Sequence, residues 1–202
     1  MPVTKEFKTI MAEVSGEIVI KGSRFIAHAT PVSAQSAAAE FIASISQRFH
    51  DATHNCFAWK IGLSDAAVFR FSDAGEPSGT AGRPILQAAE TRDLTNLAVV
   101  VTRYFGGTKL GTGGLIRAYS AATLAALEQA EIIISYPQIT VTLKFAYAFT
   151  NAVHQVVEKH GAKILETGFD NGCIYRVRLN ASEEAEFYNA LQDATGGKME
   201  LI

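Results

Sequence analysis

The sequence predicts an α+β chain of two domains, 1–137 and 138–202. Three observations carry this reading. Most of the glycines and all of the unusual motifs precede Pro137, whereas the remainder alternates plainly between strand and helix patterns. The order read in that remainder is βαββαβ, the ferredoxin-like arrangement. Hydrophobic residues make up 48% of the chain and charged residues 19%, which sustains a real core and excludes wholesale disorder.

In the first part, Phe7–Ile20 and Arg24–Pro31 read as a strand pair turning at Lys21-Gly22-Ser23. Ser33–Phe49 follows as a helix with an Ala-rich middle. His54–Gly62 and Val68–Ser72 form a second strand pair. Asp73–Gly82 is dense in turn formers and reads as a loop. Arg83–Glu90 is a short helix with Pro84 in its first turn. Leu97–Phe105 opens with a fully apolar run, LAVVV, which places it at the centre of a sheet. Gly106–Gly114 is a glycine-rich loop, and Leu115–Ala130 a helix of small residues suited to close packing.

The second part opens with a strand, Gln138–Tyr147, that alternates apolar and polar residues. Phe149–His160 has Val153, Val156 and Val157 on one helical face, with Thr150 to cap its start and Gly161 to stop it. Lys163–Phe169 and Cys173–Leu179 are strands joined through Asn171-Gly172, the dipeptide that favours a type I′ hairpin. Ser182–Ala194 is a helix opened by Ser182, with Glu183, Glu184 and Glu186 in its first turn. Gly196-Gly197 ends it, and Lys198–Ile202 is the last strand.

Charge narrows the function classes. The formal net charge is −2, so nucleic acid cannot be held by bulk charge and would need a local basic patch. The 18 Lys+Arg and 20 Asp+Glu divide as 12 and 12 up to Pro137 and as 6 and 8 beyond it. Cys56 and Cys173 form no CxxC and no disulfide framework, which fits a reducing cytoplasm. Residues 1–6 hold no apolar signal core, and no apolar stretch is long enough for a bilayer.

The most informative segment is Val99–Ser120, VVVTRYFGGTKLGTGGLIRAYS, a strand, a glycine loop and a helix. Glycines with positive φ turn successive N–H groups into one concavity, and a helix N-terminus adds partial positive charge. Arg103, Lys109 and Arg117 supply three cations, and the segment contains no acid. This is the pattern of a phosphate or carboxylate site; equally, Gly113, Gly114 and Ala118 suit close packing of the helix on the sheet. Thr112 stands where a Walker A motif needs lysine, and the last glycine of a dinucleotide fingerprint is missing.

Two further segments hold chemically capable residues. In Phe71–Leu86, FSDAGEPSGTAGRPIL, Asp73 and Glu76 offer an acid pair and Ser78 and Thr80 offer hydroxyls, without a GxSxG elbow. The competing reading is a structured loop in which Asp73 makes an Asx-turn and Ser78 or Thr80 caps the next helix. In Asp51–Trp59, DATHNCFAW, His54 and Cys56 share a strand face, but no third residue orients them and no further ligands make a zinc set. Neither a metal nor a cofactor is expected.

Four segments in one order, KGSRFIA (Lys21–Ala27), DATHNCFAW, FSDAGEPSGTAGRPIL and VVVTRYFGGTKLGTGGLIRAYS, resemble the IMPACT/YigZ family. They cover the N-terminal two-thirds, and the remainder is similar to the small ferredoxin-like domain of bacterial members. The resemblance implies an N-terminal α/β sandwich like the second domain of ribosomal protein S-five. It implies a C-terminal domain like the last domain of elongation factor G. Both folds recur in proteins that touch ribosomes or RNA, and eukaryotic members regulate translation. The expected function is therefore a non-catalytic regulatory protein that contacts RNA, the ribosome or a translation factor in the cytoplasm.

The expected anion or nucleic-acid site comprises Arg103, Tyr104, Gly106, Gly107, Lys109, Gly111, Gly113, Gly114 and Arg117, extended by Arg24 and Arg83, with Tyr104 or Phe105 stacking on a base. One alternative is an enzyme or sensor for a small phosphorylated or carboxylated ligand, with Asp73, Glu76, Ser78, Thr80 and His54 around the glycine loop. The other is a protein–protein module.

Overall fold

A five-stranded antiparallel sheet carries the first of two units, Phe7–Ser135; the second contains Tyr136–Ile202. The computed structural model describes residues 6–202, with the backbone alone for Asp65, so the reading of residues 1–5 as free of a signal core lies outside it. The first unit runs β1 (Phe7–Ile10), β2 (Val14–Ile20), β3 (Ser23–Pro31), α1 (Gln35–Arg48), β4 (His54–Ile61), β5 (Val68–Ser72), α2 (Gly82–Glu90), β6 (Leu97–Tyr104), α3 (Gly111–Leu127) and β7 (Ile132–Ser135).

The sheet order is β2-β3-β6-β4-β5, with β6 in the middle as its apolar run predicts. Strand alternation then assigns the two faces. Phe25, Ala27, Cys56, Ala58, Val99 and Val101 pack against Ile85 of α2 and against Leu115, Tyr119 and Ala122 of α3. Trp59 and Ala98 face Ala38 of α1 on the other side. Helices on both faces explain why LAVVV reads as a continuous apolar run rather than an alternating one.

Two local expectations are corrected. Phe7–Ile20 is not one strand: Phe7–Ile10 leaves the sheet and pairs antiparallel with β7, a strand the sequence pattern did not reveal. The glycine loop is also shorter than Gly106–Gly114, because α3 begins at Gly111. Contacts of α3 with α2, β2 and β3 outweigh the ~1 kcal/mol by which glycine disfavours a helix interior.

The second unit runs β8 (Gln138–Phe145), α4 (Thr150–Lys159), β9 (Lys163–Phe169), β10 (Cys173–Asn180), α5 (Glu184–Thr195) and β11 (Met199–Leu201). Its sheet is antiparallel in the order β11-β8-β10-β9, and both helices cover one face. Val153, Val156 and Val157 of α4 and Phe187 and Leu191 of α5 meet Leu143, Tyr175, Val177 and Leu179 there. This is the ferredoxin-like βαββαβ arrangement.

The end chemistry differs from the sequence reading. Thr150 is the first residue of α4, and its hydroxyl donates to the Tyr147 carbonyl instead of capping the helix. Asn180, not Ser182, supplies the oxygen that accepts from the Ser182 N–H, one 3-10 turn ahead of α5. Phe169 pairs with Cys173 across three residues, so Asn171-Gly172 is not a two-residue type I′ turn. Among the described residues no helix is long and apolar enough to cross a membrane.

His28 on β3 is buried with Nε2 unpartnered among the described residues, its ring 5.3 Å from that of Phe49. Burial, with Arg48 nearby, pushes its pKa below the usual histidine value, against a weaker pull from Glu13. The folded state therefore binds this proton less readily than the unfolded chain does. The His28 contribution is fully present above about pH 6.5 and is lost as pH falls through the window below it. Chemical denaturation of wild type and His28→Gln between pH 7.5 and 5 should show the wild type losing more stability on acidification. Parallel profiles would refute this.

Candidate functional site

One buried polar cluster sits where β3 and β4 begin and β6 ends. Register places Arg103 opposite both Phe25 and His54. Arg103 is only 5% exposed, which is rare for arginine and requires a partner. Its Nη1 donates to Glu76 Oε1 at 2.6 Å, and its Nη2 donates to Ser23 Oγ at 3.3 Å. The guanidinium carbon lies 5.4 Å from the Phe25 ring centroid and 5.5 Å from that of Phe105. Arg103 Nε is buried without a partner among the described residues. The Tyr119 hydroxyl, from α3, donates to the same Glu76 oxygen at 2.7 Å.

His54 approaches the other Glu76 oxygen, with Nε2 to Oε2 at 3.9 Å. Its Nδ1 is 2.9 Å from the Ala74 carbonyl, which only accepts, so Nδ1 carries a proton. Cys56 Sγ lies 2.9 Å from the Asp73 carbonyl and 3.4 Å from the Tyr119 hydroxyl. Burial pushes the Cys56 thiol up to about 12, against the smaller opposite effect of its contact with Tyr119. Burial also raises the Tyr119 phenol. At neutral pH Cys56 is a protonated, shielded thiol and a poor nucleophile.

The loop between β5 and α2 is closed by its own first acid. Asp73 Oδ1 accepts from the N–H groups of Ala81 and Gly82 at 2.9 Å each, and Oδ2 accepts from Gly79 N–H at 2.8 Å. Burial draws its pKa upward, but the three backbone donors outweigh burial and hold the carboxyl below its ordinary value. Asp73 thus caps α2 from nine residues away, and neither Ser78 nor Thr80 caps it: Thr80 Oγ1 donates to the Pro77 carbonyl at 2.6 Å, and Ser78 is exposed.

The expected anion-site residues separate into three groups. Arg103 is internal and neutralised by Glu76, so it is not a surface cation. Arg24 and Tyr104 pair across β3 and β6 and, by strand alternation, project to the sheet face opposite Arg103. Arg24 is engaged bidentately by Glu17 at 2.7 and 2.8 Å, and the Tyr104 hydroxyl donates to Asp51 at 2.7 Å. The third group is exposed: Lys109 in the loop before α3, Arg117 in α3 and Arg83 in α2. None of these three enters an ion pair among the described residues. Ser120 Oγ donates to the Pro84 carbonyl at 3.4 Å, which sets the start of α2 beside the α3 turn that carries Arg117.

The glycines divide as well. Gly106 serves packing, because a Cβ there would lie 1.8 Å from the carbonyl carbon of Gly22. Gly107 and Gly111 have φ of +85° and +71° with nothing within 4 Å of an added Cβ, so conformation rather than crowding requires them. Gly113 and Gly114 lie in the first turn of α3. Phe105 is 47% exposed beside this loop, with its ring over Arg103. Sequence reasoning missed Tyr119 and Ser23 as members of the cluster. A lone tyrosine in a helix of small packing residues was the available signal, since a buried hydroxyl needs a partner.

The pair is tested by Arg103→Met, Glu76→Gln and the double variant. Arg103→Met alone should cost about 3–5 kcal/mol, because it strands a buried carboxylate, and the double variant should recover most of that loss. Additive losses in denaturant titrations would show that the two side chains do not act as a pair. Thiol labelling is a second check: Cys56 in the native chain should react with a maleimide only at the rate of unfolding. Labelling at the rate of a free thiol would contradict its shielding.

Comparison with known proteins matches residues 21–127 to the Impact N-terminal domain. The chain is 35% identical over 185 residues to the IMPACT family member YvyE of Bacillus subtilis, covering 92% of this chain and 85% of that protein. It is 35% identical over 184 residues to the IMPACT family member YigZ of Escherichia coli, covering 91% and 90%. A crystal structure described as that of a hypothetical protein, 33% identical, superposes with a TM-score of 0.78 over 99% of this chain and 98% of its own. A domain match across the buried cluster and the glycine loop, together with relatives aligned along nearly their whole length, establishes that the chain belongs to the IMPACT family.

Proposed function

We propose that this protein is a non-catalytic regulatory protein that contacts RNA, free or within the ribosome, through the exposed loop before α3 and the helix turns beside it. The observation that carries this reading is the sorting of charge. The acids that suggest chemistry, Asp73 and Glu76, are consumed by the fold, one by three backbone N–H groups and the other by Arg103 and Tyr119. The cations Arg83, Lys109 and Arg117 remain exposed without a carboxylate partner among the described residues. Phosphates gain from such unneutralised cations through counterion release.

Phe105 adds a π face next to them, and aromatic stacking on bases tolerates any sequence. A duplex offers no free base face, so single-stranded or looped RNA fits this surface better. The setting is translation, as the family resemblance implies.

Binding of a labelled single-stranded RNA at two salt concentrations tests the proposal. Lys109→Ala/Arg117→Ala should weaken binding and reduce the salt slope by roughly 1.4, two cations at about 0.7 each. Phe105→Ala should weaken binding without changing the slope. No binding at low salt, or a double variant indistinguishable from wild type, would end the RNA reading.

A further inference from the structure

The two edges of the five-stranded sheet are built differently. On the β2 edge, Val14, Ile18 and Ile20 turn inward against the core and alternate with Ser15, Glu17 and Val19. Glu17 is held there by Arg24 of β3, and α3 packs along the strand. β5 closes the other edge and pairs only with β4, in an unbroken register from Ser72 opposite Phe57 to Val68 opposite Ile61. No other backbone bond reaches residues 68–72 among the described residues. Backbone groups alternate sides along a strand, so every second residue of β5 presents an unpaired N–H and C=O outward.

Edge strands are commonly blunted by a lysine, a proline or a bulge, and β5 has none of these. Val68, Phe69 and Phe71 are instead 44%, 57% and 38% exposed. Phe69 and Phe71 lie opposite Lys60 and Ala58, which puts them on the sheet face that α2 covers. Their rings stack with 3° between planes and 6.4 Å between centroids. Lys60, on the same face, is neutralised by Glu90 at 2.7 Å. Arg70 lies opposite Trp59 and therefore on the α1 face. It is exposed and enters no ion pair among the described residues.

We infer that β5 is a docking edge for an extended acidic segment of a partner protein, which adds to the sheet as a further strand. The outward backbone groups of β5 supply main-chain hydrogen bonds. Residues directly opposite across a strand pair share a face. The partner residue facing Arg70 is therefore aspartate or glutamate, and its two neighbours, facing Phe69 and Phe71, are apolar. A second copy of this chain does not meet that pattern. The antiparallel two-fold register that sets Phe69 against Phe71 of the copy also sets Arg70 against Arg70, and like charges directly opposite destabilise a pair. The edge shares no residue with the RNA-binding face proposed above, and its test uses no RNA.

The probe is a labelled seven-residue synthetic peptide, titrated into the full chain by fluorescence anisotropy. A central glutamate is flanked on each side by phenylalanine, then threonine, then leucine. A control of the same composition sets its two phenylalanines side by side. The alternating peptide should bind at least about tenfold more tightly than the control. Phe69→Thr, at an exposed position, should weaken binding by about tenfold or more with the denaturation midpoint of the protein unchanged. Arg70→Glu should weaken the glutamate peptide and strengthen one with lysine at its centre. Two N-methylated forms report on the backbone: one carries methyl groups on the phenylalanine nitrogens, the other on those of glutamate and threonine. One form should lose binding and the other keep it, because alternate N–H groups face the edge.

Equal binding of the alternating and control peptides, wild-type affinity in Phe69→Thr and Arg70→Glu, or the same affinity for both N-methylated forms would overturn the proposal. So would concentration-dependent self-association that Phe69→Thr abolishes, because the edge would then belong to a second copy of the chain.

Discussion

The first unit depends on the buried ion pair between Arg103 and Glu76. Taking either charge out of water alone costs several kcal/mol, so neither side chain can be inside without the other. The pair therefore ties the loop after β5 to the end of the central strand. Tyr119 extends the tie to α3, and Ser23 extends it to the β2–β3 turn. Ser23 Oγ also accepts from Gly106 N–H at 3.2 Å, so the glycine loop leaves the sheet from a held position. Four segments distant in sequence are locked by one electrostatic constraint.

That constraint explains how an exposed loop can serve as a fixed surface. Asp73 closes the neighbouring loop on the backbone of α2, and Arg103 supports the Phe105 ring from beneath. Below the surface Arg103, Glu76 and Asp73 are spent on geometry, while exposed Arg83, Lys109 and Arg117 enter no ion pair among the described residues. The same division bears on catalysis. A buried thiol pushed up to about 12 is a poor nucleophile at neutral pH.

The two units present opposite characters. The first offers cations and an aromatic ring on a loop and a helix start. The second offers an apolar groove between Val141, Phe187 and Leu191, with the exposed carboxylate Glu184 beside it. A chain with a net charge of −2 can still hold surfaces of either sign, because charge is sorted by position and not averaged over the molecule.

Much of this was legible from the residues alone. The period-2 and period-3.6 patterns determined nearly every strand and helix, the LAVVV run determined the central strand, and the order of elements determined the ferredoxin-like unit. These are local properties, set by how each side chain prefers to lie on its own backbone. The tertiary structure decided which cation is buried, which acid caps a helix, and which partner Phe7–Ile10 pairs with. Arg103 looked like a surface phosphate ligand because its partner, Glu76, stands 27 residues away. Phe7–Ile10 looked like part of β2 because its partner strand, Ile132–Ser135, lies at the far end of the unit. Burial and pairing are properties of residues that meet only after folding, so no window along the chain contains them.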